Sequence, residues 1–267
     1  MIETDIVVVP DPESGASAAA DRIATVLAEA AGTRGRADWA TTGGSSPIGI
    51  YRRLIARPLV DAVSWGDVHV WWGDDRYVPR DHPYSNVKPF DDIMLGIAAA
   101  EEGTAGSRRP GVPIPVENVH PFPTSEAIGN ARGPEWCAAT LASELAESPL
   151  ERVGSWPAFD LMLLGIGPDA HVLSVFPGST AFDSPGLALA IPAPTHIAPR
   201  VPRVTLNPAV VGAARHVLVV AYGSDKAPAI ARIHGPEHDP RRSPGQIARR
   251  PGTTWIIDEA AAADLPR

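Results

Sequence analysis

A carboxylate and an imidazole lie two residues apart in this chain, at Asp169 and His171. They belong to a glycine-rich block, residues 165–178, that follows an apolar run at 159–164 typical of a buried strand. In an open α/β sheet, ligands bind where the strands end. The glycines of the block allow a sharp turn and a close approach of the backbone to a bound group. The pair therefore indicates proton transfer beside a ligand.

Two other strand ends carry unusual polar residues. The segment 42–47, TGGSSP, offers backbone N–H groups and hydroxyls at the start of a helix, which suits a phosphate group, although the same sequence is common in plain turns. It lacks the lysine of a P-loop and the spacing of a dinucleotide fingerprint. The segment 72–76, WGDDR, places two carboxylates and a guanidinium at a strand end. These residues could bind a ligand or could simply form a solvated charged turn. Because the carboxyl ends of parallel strands share one edge, we expect one crevice. Its candidate residues are Gly43, Gly44, Ser45, Ser46, Asp74 and Arg76.

Other interpretations of these residues stay open at this point. Asp169 could cap a helix and His171 could pack in a core. A metal site at this pair is disfavoured, because no second His or Cys lies beside it at ligand spacing. Ser174 is not interpreted as a nucleophile, since the chain has no G-x-S-x-G elbow. A second group of ligand-type residues is interpreted as a surface loop because Pro236 interrupts it: His234, Glu237 and His238.

The composition of the chain limits the classes of function that it can have. The 267 residues carry a formal net charge of −8, which argues against a nucleic-acid surface, so an anionic ligand would need local basic residues. Arg203 and Lys226 are candidates for that role, although each alone is more typical of a surface charge. The start of the chain does not resemble a secretory signal, and no apolar stretch is long enough for a membrane span. The single cysteine, Cys137, fits a reducing cytoplasm, and we expect it to lie on a helix with its side chain buried in the core.

The order of elements predicts the fold class. Strands and helices alternate, and 267 residues suit one domain, so we expect a single α/β domain over 1–267. Its predicted architecture is a three-layer, mostly parallel, doubly wound (Rossmann-like) sheet with helices on both faces. Strands are expected at 6–9, 37–41, 68–72, 159–164, 187–191, 204–206, 216–221 and 254–257. Helices are expected at 47–56 with Ser46 as the cap, at 86–95 with Ser85 or Asn86 able to cap it, and at 17–31, 136–145, 226–233 and 259–263. A short helix is expected after 207–208, and irregular chain at 103–123.

These motifs together resemble the 6-phosphogluconolactonase family, within the larger group that includes glucosamine-6-phosphate deaminase. The family shows a T/S-G-G-S-T-P loop, W-G-D-E-R followed by S-N, the block G-x-G-x-D-G-H-x-x-S-x-F-P-G, and a late G-x-x-K-A. They correspond here to 42–47, 72–76 with 85–86, 165–178 and 223–227, in the same order and spacing over about residues 5–258. Three residues differ from the pattern: Ser46 for Thr, Asp75 for Glu and Ala170 for Gly. A left-handed turn at Ala170 would be strained.

The resemblance implies hydrolysis of 6-phospho-D-glucono-1,5-lactone, a small sugar-phosphate lactone, with no cofactor and no metal. It implies His171 as general base and Asp169 as the residue that orients it. It also implies phosphate binding by 43–46 with Arg203 and Lys226, and leaves open which arginine, Arg76 or Arg203, faces the phosphate. We expect a monomer or weak homo-oligomer with no nucleic-acid or membrane partner.

Two alternatives remain. One is a deaminase or isomerase of a related sugar phosphate, with Asp74 as its carboxylate base. In the deaminases the block reads G-H-I-A-F-N-E-P, and its Glu assists ring opening of the amino sugar, whereas Phe176 occupies that place here. The other is a non-catalytic sugar-phosphate sensor, which would need an attached DNA-binding module that this sequence does not indicate.

Overall fold

A seven-stranded sheet forms the centre of the computed structural model, which describes residues 5–97 and 111–265. All of its neighbouring strands pair in parallel. The apolar runs at 216–221 and 161–165 lie in the middle of the sheet, where β-branched and leucine side chains are buried on both faces. The spatial order, numbered along the chain, is β1 (Asp5–Val9), β12 (Thr253–Asp258), β11 (His216–Ala221), β8 (Leu161–Gly165), β2 (Ala37–Thr41), β3 (Val68–Trp72) and β5 (Val119–His120).

Helices cover both faces of this sheet. Trp39 of β2 packs against the rings of Tyr51 and Phe90, which belong to helices on one face. Trp71 of β3 points to the other face and stacks on His120, whose Nδ1 contacts Glu144, in a helix on that face, at 2.5 Å. The predicted α/β fold with helices on both faces is confirmed. The helices are α1 (Pro12–Arg34), α2 (Ser46–Leu54), α3 (Leu59–Ala62), α4 (Lys88–Ile93), α5 (Thr124–Gly129), α6 (Pro134–Glu147), α7 (Ala209–Ala213) and α8 (Ala227–His234).

Two of the predicted strands belong to a separate antiparallel sheet. β10 (Arg203–Leu206) pairs with β9 (Ala188–Ile191) on one side and with β4 (Asp74–Arg76) on the other. The sequence did not predict β4, because its three residues are all charged and resemble a turn. They form a strand because Gly73 carries the chain across to β10, where the Leu206 N–H donates to the Gly73 carbonyl at 2.8 Å. A small hairpin of β6 (Arg152–Val153) and β7 (Trp156–Pro157) was also not predicted.

Several element boundaries differ from those predicted. Helix α1 continues through Gly32 and ends before Gly35, which adopts a left-handed φ of 68°. The predicted helix at 259–263 is wrong: those residues form turns in which Asp258 accepts a hydrogen bond from the Ala261 N–H at 2.8 Å. Of the segment expected to be irregular, 103–110 lies outside the described residues, and Val119–His120 forms the edge strand β5.

The buried thiol of Cys137 confirms its predicted packing role. Cys137 is fully buried in α6, and burial raises the pKa of its thiol to about 12, so it stays protonated near neutral pH. Within 5–97 and 111–265, no helix combines the length and the apolar character needed to cross a membrane.

Candidate active site

The carboxyl ends of β11, β8, β2 and β3, which are neighbours in the sheet, open onto a cavity of about 330 Å³. Its lining is polar and comes from loops that follow these strands, together with the antiparallel sheet. Asp169 does not line the cavity but lies against His171, which does. The structure thus brings together the other residues selected from the sequence: Gly43, Gly44, Ser45, Ser46, Asp74, Arg76, His171, Arg203 and Lys226.

Asp169 holds the imidazole of His171 from one side. Its Oδ1 lies 2.5 Å from His171 Nδ1 and also accepts the backbone N–H of His171 at 3.1 Å. Its second oxygen, Oδ2, lies 2.8 Å from Nε2 of His196. Each oxygen of the carboxylate therefore faces its own imidazole.

The protonation state of Asp169 sets the tautomer of His171. Burial raises the pKa of Asp169, but hydrogen bonds from His171 and His196 and the charge of His171 outweigh burial and hold it well below its usual range. An ionised carboxylate only accepts hydrogen bonds, so the nitrogens that face it carry the protons. Neutral His171 is therefore protonated at Nδ1 and has its lone pair at Nε2. A side chain in this state can act as a general base toward the cavity.

The glycine at position 167 leaves the space that His171 fills. An ideal Cβ on Gly167 would lie 1.9 Å from His171 Nδ1 and 2.7 Å from Asp169 Oδ1. The Gly167 N–H also donates to the His171 carbonyl at 2.9 Å, which closes the turn. Any side chain at this position would displace the imidazole.

Two non-glycine residues of the same block have a left-handed backbone. Ala170 has a φ of 69° and Leu173 a φ of 56°, which costs roughly 1–2 kcal/mol for each residue. The strain predicted for an alanine at position 170 is present. It is held by packing and hydrogen bonds: Ala170 is fully buried, and its carbonyl accepts the Gly245 N–H at 2.8 Å. These left-handed residues turn the backbone on both sides of His171 within a short segment.

The Gly-Gly loop enters the cavity beside the start of α2. Gly44 has a φ of 87°, and an ideal Cβ on Gly43 would lie 2.1 Å from Asn86 Oδ1, so both positions require glycine. The prediction that Ser46 caps the helix is wrong: α2 begins at Ser46, and Ser45 occupies the cap position without a side-chain hydrogen bond. Pro47 has no N–H and the Ile48 N–H donates to the Ser45 carbonyl at 3.3 Å, so the N–H groups of residues 44–46, which have no hydrogen-bond acceptor among the described residues, are the ones available to an anion.

Asp74 is held by two neutral donors. Its Oδ2 accepts the Ser174 hydroxyl at 2.6 Å, and its Oδ1 accepts the Asn86 side-chain amide at 3.2 Å. The same amide donates to the Asp74 carbonyl at 2.8 Å. The predicted capping by Ser85 or Asn86 is wrong, because Val87 occupies the cap position of α4, which begins at Lys88.

The neighbouring Asp75 ties β4 to the chain that leads into α4. Its Oδ1 accepts the backbone N–H groups of Arg76 and Asn86 at 2.7 and 2.6 Å, and its Oδ2 accepts the Ser85 hydroxyl at 3.2 Å. The carboxyl is fully buried, and burial raises its pKa to about 7. Because Asp75 does not line the cavity, its contacts are structural.

Arg76 and Arg203 form a pair of cations across β4 and β10, at directly opposed positions. Each donates one hydrogen bond to a backbone carbonyl, that of Tyr84 at 2.9 Å and that of Pro199 at 2.8 Å respectively. The Nε of each is buried and has no partner among the described residues. Burial and then the charge of Arg76 lower the pKa of Arg203 to about 10. Two adjacent cations with unfilled donors favour an anionic ligand.

Lys226 lines the cavity just before the start of α8. Its Nζ lies 3.0 Å from the exposed carboxylate of Asp225. The preceding turn depends on Gly223, which has a φ of 95° and donates its N–H to the Asp258 carboxylate at 3.0 Å. The end of β12 therefore fixes where Lys226 enters the cavity.

The sequence interpretation missed three contacts in this site. Ser174 was considered only as a nucleophile, and Asn86 only as a cap. His196 was not selected, because it lies in a proline-rich loop whose pattern predicts no contact with residue 169. Only the three-dimensional structure brings these side chains to the acidic residues.

Comparison with known proteins identifies the family. A family model described as glucosamine-6-phosphate isomerases/6-phosphogluconolactonase matches residues 10–256. The chain belongs to this family. It is 33% identical to 6-phosphogluconolactonase of Streptomyces coelicolor, over 98% of this chain and 95% of the relative. The solved structure of 6-phosphogluconolactonase from Trypanosoma brucei matches with a TM-score of 0.81 and 27% identity, covering 99% of each chain.

The family fold by itself does not separate lactonases from deaminases. A solved structure of a monomeric glucosamine-6-phosphate deaminase matches with a TM-score of 0.76 and 17% identity, over 98% of this chain and all of that chain. The distinction therefore depends on the site. Phe176 places an apolar ring 4.8 Å from the ring of His171 and 5.6 Å from that of His196, where the deaminase pattern has a carboxylate.

Proposed function

We propose that this protein hydrolyses 6-phospho-D-glucono-1,5-lactone to 6-phospho-D-gluconate, the second step of the oxidative pentose phosphate pathway. The observation that carries the proposal is the His171–Asp169 pair, with its free Nε2 in a side chain that lines a cationic cavity. Its relatives in the family, named above as 6-phosphogluconolactonases, support the same reaction.

In the proposed mechanism, His171 Nε2 removes a proton from a water molecule as that water attacks C1 of the lactone. Asp169 stabilises the resulting imidazolium through Nδ1. The tetrahedral intermediate then collapses, the bond from C1 to the ring oxygen breaks, and the imidazolium returns the proton to that oxygen. The new carboxylic acid ionises, so the reaction consumes only lactone and water.

We assign the phosphate to the loop 43–46 and Lys226. The uncapped start of α2 supplies N–H groups and a favourable dipole, and Lys226 supplies the charge. Arg76 and Arg203 add a second cationic wall, and both remain substrate-binding candidates with Asp74, which is positioned to accept a sugar hydroxyl. We further propose that the protein acts in the cytoplasm as a monomer or weak homo-oligomer.

The deaminase or isomerase alternative needs a free carboxylate base. Asp74 is the candidate; Ser174 and Asn86 donate to its oxygens and hold it in place, but further lone pairs remain for a substrate. Phe176 occupies the place of the other carboxylate that the deaminase pattern requires. The lack of this second carboxylate favours the lactonase.

A direct experiment separates the two activities and the sensor alternative. Fresh 6-phosphogluconolactone, made by a dehydrogenase, is added to the protein, and acid release is followed against spontaneous hydrolysis. Glucosamine 6-phosphate is tested in parallel for ammonia release. We expect acceleration of lactone hydrolysis only. Ammonia release would establish the deaminase instead, and tight binding of 6-phosphogluconate without acceleration of lactone hydrolysis would establish a sensor.

A further inference from the structure

His196 is the least expected residue beside the candidate general base. It lies in the loop between β9 and β10, and its side chain is half exposed. Its Nε2 lies 2.8 Å from Asp169 Oδ2. Because ionised Asp169 can only accept, His196 must donate from Nε2. The hydrogen bond is therefore charge-assisted and directed at the one carboxylate oxygen that His171 does not use.

This loop is fixed at two points. The first is the contact of His196 with Asp169, and the second is the hydrogen bond from the Arg203 guanidinium to the Pro199 carbonyl at 2.8 Å. Between them, Ile197 and Ala198 form part of the cavity wall. The loop thus connects the general base to the wall that faces the substrate.

Phe176 packs against both imidazoles that contact Asp169. Its ring is tilted against His171 and edge-on to His196. The Asp169 side chain, with one imidazole at each oxygen, is only one-fifth exposed. Without His196, Oδ2 would face solvent, and the carboxylate could turn about its bond to Cβ and lose its alignment with Nδ1 of His171.

We infer that His196 is a positioning residue for the hydrolysis, which acts by locking the Asp169 carboxylate in the orientation that serves His171. The inference rests on the proposed function for its kinetic consequence. Its structural content, the ordering of the His171–Asp169 hydrogen bond, is independent of the substrate. A neutral donor is sufficient for the role, since it holds the carboxylate without neutralising the charge that stabilises the imidazolium.

The kinetic test compares His196→Ala with His196→Gln, whose side-chain amide can donate at a similar distance. His238→Ala is the matched control, because His238 is an exposed histidine that lines no part of the cavity. We expect His196→Ala to lower kcat about 10-fold with KM within about threefold, His196→Gln to recover most of this loss, and the control to match the parent protein. A rise in KM alone would mean that His196 only supports the cavity wall, and equal rates for the Ala and Gln variants would exclude the donor role.

A proton NMR experiment tests the role of His196 without measuring enzyme activity. The proton shared by His171 Nδ1 and Asp169 gives a far-downfield proton NMR signal when the hydrogen bond is short and ordered. We expect this signal in the parent protein and in His196→Gln, and its loss or broadening in His196→Ala. An unchanged signal in His196→Ala would overturn the inference. If the parent protein fails to accelerate lactone hydrolysis, the proposed function is wrong, and the NMR comparison still decides the role of His196.

Discussion

At the level of single residues, Asp169 decides what His171 can do. The ionised carboxylate accepts a hydrogen bond from Nδ1–H, so the lone pair of the neutral imidazole is at Nε2. Gly167 makes this geometry possible because it has no side chain where the imidazole lies. The position of the imidazole therefore depends on the absence of a Cβ at residue 167 as well as on the Asp169 carboxylate.

The role of Gly167 gives a direct prediction. Gly167→Ala would place a Cβ 1.9 Å from His171 Nδ1, so the imidazole must move by an ångström or more. Misplacement on this scale lowers a rate by about 100-fold, and we expect kcat to fall by that order. Gly32→Ala, in α1, is the control, because an added Cβ there meets no atom within 4 Å. Steady-state kinetics would contradict the account if Gly167→Ala and Gly32→Ala were equally active.

At the level of elements, the start of α8 is where the cationic charge of Lys226 meets the cavity. If Lys226 binds the phosphate, Lys226→Ala removes a charge-assisted contact that is made equally in the ground and transition states. We expect KM to rise by the equivalent of about 1.5–3 kcal/mol, with kcat little changed. Lys88→Ala, which removes a partly buried i,i+4 pair with Asp92 and lies outside the cavity lining, is the control. A fall in kcat without a change in KM would exclude the assignment.

Elements with a clear periodic pattern were predicted well, and those made by tertiary contacts were not. β11, at 216–221, has the predicted bounds, because the five residues after His216 form an apolar run typical of a strand that is buried on both faces. β4 consists of charged residues and becomes a strand only by pairing with β10. The same distinction explains which contacts of the site could be predicted. Asp169 and His171 are two residues apart in the sequence, whereas His196 reaches Asp169 only through folding of a distant loop.

At the level of the whole molecule, partly buried histidines link stability to pH. Burial, followed by the charge of Arg36 for His69 and of Arg249 for His234, lowers both pKa values from 6.5 to about 4. Between those pH values the unfolded chain binds more protons, so their contribution to stability is present above pH 6.5 and is lost as the pH falls. Buried Asp75, with its pKa raised to about 7, has the opposite sign.

A variant isolates the histidine contribution from that of Asp75. His234 packs edge-on against Trp255, so His234→Phe keeps an aromatic contact and removes the titrating group. We expect the free energy of unfolding in urea to fall less between pH 7 and pH 5 in this variant than in the parent protein. The difference is below the limit of about 1.4 kcal/mol per pH unit, because solvent screens a partly exposed ring. Identical pH dependence of the unfolding free energy in the two proteins would show that His234 does not contribute to it.

The central claim is that His171 acts as the general base of a lactonase, and one measurement tests it most directly. The rate of 6-phosphogluconolactone hydrolysis by His171→Ala is compared with that of the parent protein, with 6-phosphogluconate affinity measured alongside. The account predicts acceleration by the parent protein, a loss of about 10² to 10⁴ in kcat for the variant, and product binding within a few fold. A variant that hydrolyses the lactone as fast as the parent protein would contradict it.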